Sequence, residues 1–357
     1  MRVLVRADAS PRLGHGHVMR CLSLIRVLRE QGVQCAFASR ALPDVLRSQL
    51  QASGCDLHPL PDRCAVDQGP AEQPLVAADE LADLAVALRG QPRWDWLILD
   101  HYGLDTEWER GSQAFAERLL VIDDLCERPH GGHLLLDQNL LDAATDAYPV
   151  PLGATSPRRL FGPRYALLRP EFARLRLGER PAREALPRLL LFFGAGASGG
   201  HVLPILEGLL DLPASFAVVI GGGLAERPAL ERLAAQSPQL RLHCDTPDMA
   251  GLIQRADLFL GAGGSITWER ACLGLPGLVV ALSRNQVAMS QAAAGSGMQD
   301  YLGEASAVSP AQWRAATQAL LDDPERLAGM RARALALCDG AGAQRVARIL
   351  LEMADAN

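Results

Sequence analysis

The chain has 357 residues and a formal net charge of -6, with no long basic run, which argues against a nucleic-acid partner. Hydrophobic residues make up 49% and charged residues 21% of it, as is typical of a globular α/β protein. No signal peptide or bilayer-length apolar run is visible, and the 8 cysteines include no Cys-x-x-Cys pair. These features predict a cytoplasmic protein of two domains, without a membrane partner and with reduced thiols.

The first part of the chain alternates short apolar runs with helical patterns. Buried strands are predicted at 3–5, 33–38, 96–99, 119–122 and 134–136, and helices at 18–28, 43–52 and 76–88. Strands that alternate with helices at this rhythm indicate a doubly wound parallel sheet.

The loop between the first strand and the first helix carries two histidines. It reads Gly14-His15-Gly16-His17 and has no third glycine where a dinucleotide-binding loop requires one. His17 is predicted in the first turn of the helix, aimed at a ligand, whereas His15 has no predicted role. A tight turn with a capping side chain is the structural alternative.

Polar residues follow several of the predicted strands. Asp100-His101-Tyr102 comes directly after one of them, and ligands of open parallel sheets bind beyond the carboxyl ends of strands. Tyr102 is therefore predicted to contact a ligand, while His101 is explained equally well as a packed residue. Asp123 and Asp124 are expected to hydrogen-bond neighbouring loops. The acidic strand ends lack a recurring ligand spacing, so no metal site is predicted.

The second part of the chain repeats the strand-and-glycine-loop pattern after a charged segment. Residues 174–187 are rich in charge and predict an interdomain linker, which gives an N-terminal domain of residues 1–175 and a C-terminal domain of residues 186–357. Strands are predicted at 189–193, 217–220, 240–243, 258–260 and 278–281, with a short helix at 249–256 and helices from 310 onward. The last helix, 341–354, is a candidate to cross back to the first domain.

Two glycine loops of the second domain are candidate nucleotide-binding segments. Gly264-Ser265 precedes a predicted helix, whose backbone N–H groups and dipole favour a diphosphate. Glu269 lies about one helical turn further on, where a carboxylate can accept hydrogen bonds from ribose hydroxyls. The loop from Gly194 to Gly200 can bring backbone amides close to a phosphate. Asn285 and Gln286 follow another strand and can donate hydrogen bonds to a sugar.

Ordered motifs along nearly the whole chain resemble a known family, the UDP-2,4-diacetamido-2,4,6-trideoxy-β-L-altropyranose hydrolases of pseudaminic acid biosynthesis. The matching runs are 6–10, 14–21, 100–102, 104–105, 122–124, 135–139, 162–163, 165–172, 261–269 and 285–286. The loop beginning Phe193-Gly194-Ala195 departs from the polar sequence usual in that family.

The resemblance implies a glycosyltransferase-B-like fold of two Rossmann-like domains with a cleft between them, in which the C-terminal domain holds the nucleotide. It implies hydrolysis of a UDP-sugar without a metal or other cofactor, by water attack at the anomeric carbon. His17 would be the general base, and a neutral imidazole suits that role near pH 7. The binding residues expected for the sugar are Asp8, Gly16, Tyr102, Arg169, Asn285 and Gln286, and those for the nucleotide are Gly194, Gly264, Ser265 and Glu269. Asp8 is also a candidate to orient the His17 ring.

Other functions fit parts of the same sequence. A UDP-N-acetylhexosamine glycosyltransferase would share the nucleotide site, and an epimerase would leave UDP on its product. A non-catalytic protein that binds nucleotide sugars fits the altered loop at 195–197. The expected partner is a small-molecule UDP-sugar, and the chain is expected to be a monomer or a weak homo-oligomer.

Overall fold

The computed structural model describes residues 1–10, 13–40, 42–61, 73–140, 148–149, 156–181, 185–194 and 200–355. The chain divides into two units. Unit 1 comprises Met1–Arg169 together with Ala341–Asn357, and unit 2 comprises Pro170–Gly340. Unit 1 is therefore built from two segments of the chain, whereas unit 2 is continuous.

Each unit contains one parallel sheet. Within the described residues, the strands of unit 1 are β1 (Arg2–Ala7), β2 (Gln34–Ser39), β3 (Asp56–Pro59), β4 (Trp94–Asp100), β5 (Ala116–Ile122), β6 (Leu134–Asp137) and β7 (Arg158–Phe161). Those of unit 2 are β8 (Arg188–Phe192), β9 (Ser215–Ile220), β10 (Leu240–Cys244), β11 (Leu258–Ala262), β12 (Gly277–Ala281) and β13 (Gln299–Glu304). Their orders are β3-β2-β1-β4-β5-β6-β7 and β10-β9-β8-β11-β12-β13. The predicted fold class of two doubly wound α/β domains is confirmed.

Helices follow most strands, as the predicted alternation requires. Within the described residues, unit 1 contains α1 (Gly16–Glu30), α2 (Asp44–Ala52), α3 (Ala77–Ala87), α4 (Thr106–Gly111) and α13 (Gly342–Asp355). Unit 2 contains α5 (Pro170–Leu177), α6 (Val202–Glu207), α7 (Arg227–Gln236), α8 (Met249–Arg255), α9 (Ile266–Leu273), α10 (Asn285–Gly295), α11 (Pro310–Leu321) and α12 (Pro324–Leu337).

The sheet of unit 1 is buried on both faces. Successive strand residues point to opposite faces, so Trp96 and Ile98 of β4 join one core while Leu97 and Leu99 join the other. The first of these cores also contains side chains of α1 and α13, and Trp96 Nε1 donates a hydrogen bond to the carbonyl oxygen of Leu350 at 3.1 Å. Burial on both faces explains why the central strands appear in the sequence as continuous apolar runs.

The predicted interdomain linker at 174–187 is wrong for its first residues. They belong to α5, and Arg176 donates hydrogen bonds to the carbonyl oxygens of Cys272 at 2.9 Å and Leu335 at 2.8 Å. Arg180 pairs with Asp257 at 2.9 Å. These arginine side chains are therefore bound within unit 2, where they donate hydrogen bonds to backbone carbonyl oxygens and pair with a carboxylate.

Candidate functional site

His17 lies in the first turn of α1, as predicted, and pairs with a carboxylate of the neighbouring strand β4. Its Nδ1 is 2.6 Å from Oδ1 of Asp100, the last residue of β4. Ala7 of β1 and Asp100 are partners in the parallel register, so the loop that follows β1 passes directly over the end of β4. Both side chains are buried; His17 is 8% exposed and Asp100 1%.

Arg20 completes this cluster and was missed by the sequence analysis. It lies one turn beyond His17 on α1, and its Nε and Nη2 donate to the two oxygens of Asp100 at 2.6 and 2.7 Å. Burial alone would raise the pKa of Asp100, but the charges of Arg20 and His17 hold that pKa well below its ordinary range. Asp100 is therefore an ionised carboxylate. The His-x-x-Arg spacing, which places both residues on one helical face, was the available signal.

The pairing determines which nitrogen of His17 is free to act. An ionised carboxylate only accepts hydrogen bonds, so Nδ1 of His17 carries a proton, and in the neutral ring the lone pair is on Nε2. Among the described residues, Nε2 of His17 has no hydrogen-bond partner. This nitrogen can therefore accept a proton from a bound molecule.

Tyr102 packs against the His17 ring. The two rings meet edge to face with their centroids 4.6 Å apart. Burial and the negative charge of the neighbouring Asp124 raise the pKa of Tyr102 well above its ordinary value. Asp124 also accepts a hydrogen bond from Nη1 of Arg20 at 3.0 Å. The structure thus brings together His17 and Tyr102, both predicted, with Asp100, Arg20 and Asp124.

The expectation that Asp8 orients His17 is wrong. Asp8 accepts hydrogen bonds from Oγ of Ser39 at 2.9 Å and the backbone N–H of Arg40 at 2.7 Å, and it pairs with Arg6 at 2.8 Å. Asp8 also lies 3.3 Å from Nε2 of His101. Asp8 follows β1 directly, and the loop that leaves β1 carries His17 to the carboxylate of the next strand. The contact of Asp8 with substrate stays a prediction. The Asp8 side chain is buried.

Asp123 binds a neighbouring loop, as predicted. It accepts hydrogen bonds from the backbone N–H groups of Leu125 and Cys126 at 3.0 and 3.1 Å. Its carboxylate also lies 3.8 Å from Nε2 of His130, whose Nδ1 is 2.6 Å from Glu109. Although burial lowers the pKa of His130, these two carboxylates raise it to about 9.

Within the described residues, no group of three or more His, Cys, Asp or Glu side chains could hold a metal ion.

In unit 2, the predicted glycine loop opens α9. Ser265 is the exposed N-cap of this helix, and Glu269 lies partly exposed in its first turn. Gln286, near the start of α10, accepts a hydrogen bond from the backbone N–H of Leu282 at 2.9 Å, and its Nε2 is 3.9 Å from where a Cβ atom of Gly264 would lie. The structure therefore brings Gln286 to the glycine loop, and Asn285 is the first residue of α10.

The remaining predicted binding residues are Gly16, Arg169 and Gly194. Gly16 is the first residue of α1, and Arg169, the last residue of the first segment of unit 1, is partly exposed. Gly194 lies two residues beyond β8 with a φ of 105°. Residues 195–199 of its loop lie outside the described part of the chain.

Two parallel α/β units of this kind define the glycosyltransferase-B class of folds, and solved structures of this class superpose on nearly the whole chain. MurG of Acinetobacter baumannii has a TM-score of 0.66 at 17% identity and covers 99% of both chains. The calicheamicin glycosyltransferase CalG4 has a TM-score of 0.65 at 16% identity, covering 99% of this chain and 98% of its own. The spinosyn rhamnosyltransferase SpnG, complexed with thymidine diphosphate, has a TM-score of 0.62 at 17% identity, covering 97% and 99%.

Sequence comparison gives relatives of low identity. The chain is 22% identical over 306 residues to the uncharacterized protein MJ1062 of Methanocaldococcus jannaschii, which covers 80% of this chain. It is 27% identical over 146 residues to the spore coat polysaccharide biosynthesis protein SpsG of Bacillus subtilis, covering 40% of this chain. The chain spans 56% and 43% of the lengths of these relatives. No family model matches, and no described helix is long and apolar enough to cross a membrane.

Proposed function

We propose that the chain is an enzyme that transfers the sugar of a UDP-sugar to an O–H nucleophile, with His17 as the general base. The observation that carries this proposal is the His17–Asp100 pair, which leaves Nε2 of His17 as an acceptor next to Tyr102. As the nucleophile attacks the anomeric carbon, its proton moves to Nε2 and the bond from that carbon to the diphosphate breaks. Asp100 stabilises the imidazolium that forms and keeps the ring in its reactive orientation.

The nucleotide belongs, in this proposal, to the glycine loop of unit 2. Backbone N–H groups at the start of α9, at Gly264 and Ser265, favour the negative charge of a diphosphate. The same groups stabilise the charge that develops as UDP departs. Glu269 accepts hydrogen bonds from the ribose, and Asn285 and Gln286 contact the sugar. The thymidine diphosphate bound to SpnG, on the same fold, supports a nucleoside diphosphate as the ligand.

Two nucleophiles are compatible with this chemistry. An acceptor hydroxyl is favoured by the solved structures, since CalG4 and SpnG are named as glycosyltransferases. Water is favoured by the ordered motifs that resemble the diacetamido-trideoxy-altropyranose hydrolases. The two reactions share the base and the leaving group and differ only in whether UDP is released without an acceptor.

Release of UDP tests both the class and the nucleophile. The purified chain is incubated with UDP-N-acetylglucosamine and with UDP-2,4-diacetamido-2,4,6-trideoxy-β-L-altropyranose, with and without saccharide acceptors, and NMR follows UDP and sugar products. Release in water alone identifies hydrolysis, and release that depends on an acceptor identifies transfer. Calorimetric binding of UDP without any turnover would instead establish a binding protein.

His17→Gln is expected to lower kcat by about 10²- to 10⁴-fold, the contribution of a positioned general base, and to leave UDP affinity unchanged. Asp100→Asn is expected to lower kcat by a comparable factor, because it no longer fixes the reactive tautomer. The matched control is His243→Gln, a half-buried histidine of β10, which should retain the parent rate. Full turnover by a folded His17→Gln protein would disprove the assignment of the base.

A further inference from the structure

Two histidine–carboxylate pairs cross between β1 and β4. The loop after β1 supplies His17, which pairs with Asp100 of β4, while the residue after β4 is His101, which pairs with Asp8 beyond β1. The two histidines differ in what their nitrogens can do. His101 contacts Asp8 through Nε2 at 3.3 Å and accepts a hydrogen bond from the backbone N–H of Gly103 through Nδ1 at 3.0 Å. Both of its nitrogens are therefore occupied within the protein.

These contacts fix the short turn that carries Tyr102. The backbone N–H of Gly103 is bound by His101, and its carbonyl oxygen accepts a hydrogen bond from the backbone N–H of Leu75 at 2.8 Å. Arg128 donates hydrogen bonds to the carbonyl oxygens of His101 and Tyr102. The turn is also closely packed, since a Cβ atom at Gly103 would lie 3.2 Å from Cε1 of His101.

The side chain of Tyr102 is buried and lies near Asp124, which binds Arg20. With its backbone held by His101 and Arg128, the Tyr102 ring lies edge to face with the His17 ring, with their centroids 4.6 Å apart. Asp8 anchors the other end of the arrangement, because it is itself fixed by Arg6, Ser39 and Arg40.

We propose that His101, anchored by Asp8, is a positioning residue that fixes the turn at 101–103 and thereby sets the Tyr102 ring against the His17 ring. This rests on the proposed function of His17 as a general base. A proton-transfer role for His101 itself does not fit, because neither of its nitrogens is left for a substrate. Loss of His101 should therefore act on the rate of the bound complex more than on nucleotide affinity.

The test uses the NMR resonance of the His17 Cε1 proton, identified by its absence in His17→Gln. An aromatic ring at 4.6 Å shifts this resonance, so Tyr102→Leu defines its position without the ring. His101→Ala is expected to move the resonance toward that position and to lower kcat about tenfold or more, with UDP affinity unchanged. His101→Asn keeps an acceptor in place of Nδ1 and is expected to stay close to the parent. His243→Gln is the control.

A His17 resonance that does not move in His101→Ala would overturn the proposal. If that variant does not fold, His101→Asn decides alone, because a resonance at the Tyr102→Leu position would show that the acceptor at Gly103 does not hold the ring. The spectroscopic result is independent of turnover. A shifted resonance in a chain that releases no UDP would refute the proposed function and leave the positioning role standing.

Discussion

Single side chains in unit 1 keep several charges in the protein interior by sharing partners. Asp100 is neutralised by Arg20 and hydrogen-bonded by His17, and His130 lies between Glu109 and Asp123. A buried charge is tolerated when opposite charges and hydrogen bonds surround it. The consequence is that the stability of unit 1 depends on the protonation of a few groups, one of which is His130.

Loss of the proton from His130 lowers the free energy of unfolding as pH rises above neutrality. Its pKa is raised from 6.5 to about 9 in the folded chain, so its contribution is complete below pH 6.5 and is lost as pH rises through about 9. The shift corresponds to about 3 kcal/mol. Urea unfolding at pH 6 and pH 9 should show this decrease in the parent chain and a much smaller one in His130→Gln. Equal pH dependence in both would assign the effect to other groups.

For single side chains, the sequence predicted residues of the candidate site but not the side chains with which they pair. His17 and Tyr102 were predicted because each follows a strand, where ligands of parallel sheets bind. The pairing of His17 with Asp100 was not predictable, since it depends on β4 lying beside β1 despite being far away in the chain. The wrong assignment of Asp8 has the same origin: it is near His17 in sequence and is committed to His101 in space.

Among the secondary-structure elements, the buried strands and the edge strand β10 were predicted, whereas the edge strands β3, β7 and β13 were missed. Central strands such as β4 and β11 contain continuous apolar runs, at 96–99 and 258–260, whereas β3, β7 and β13 contain exposed residues and lie at sheet edges. An edge strand pairs with only one neighbouring strand, so some of its residues face solvent. Polar residues at those positions interrupt the continuous apolar run that identifies a buried strand in the sequence. The close approach of two neighbouring strands is a second property that cannot be predicted from the sequence. Gly261 lies at such a close approach.

Gly261→Ala should strongly destabilise unit 2. A Cβ atom at this position of β11 would lie 1.9 Å from the carbonyl oxygen of Phe192 in β8, and a backbone atom of a central strand cannot move aside. We expect a loss of about 3 kcal/mol or more, or failure to fold. Gly223→Ala is the control, because nothing lies within 4 Å of its Cβ position. Equal urea midpoints for the two variants would contradict the close packing.

At the scale of the whole molecule, unit 1 is completed by a helix from the other end of the sequence. Val346 and Leu350 of α13 are fully buried in the core that contains Val3 and Val5 of β1. The two sheets define the glycosyltransferase-B class of folds, while the His17–Asp100 pair is formed by α1 and the end of β4 within unit 1. The prediction that follows is that changes near residue 350 weaken the first strands of the chain.

Leu350→Ala should destabilise unit 1 by about 2–5 kcal/mol, as truncation of a buried leucine does, and leave unit 2 unaffected. Arg348→Ala, on the exposed side of the same helix, should change stability by less than about 0.5 kcal/mol. Amide hydrogen exchange on the full chain separates the units, with faster exchange expected in β1 and β4 and parent rates in β8 and β11. Faster amide exchange in both sheets alike would show that the units do not unfold independently.

The return of the chain to unit 1 also sets an order for folding during synthesis. Domains commonly fold as they leave the ribosome, the N-terminal one first. Here the first unit lacks α13, and with it part of one face of its core, until all of Pro170–Gly340 has been translated. Unit 2, a continuous segment, can reach its native state earlier. While Pro170–Gly340 is being translated, one apolar face of the N-terminal sheet therefore lacks the α13 helix that covers it. A chaperone that binds apolar surface would bind the nascent chain during this period.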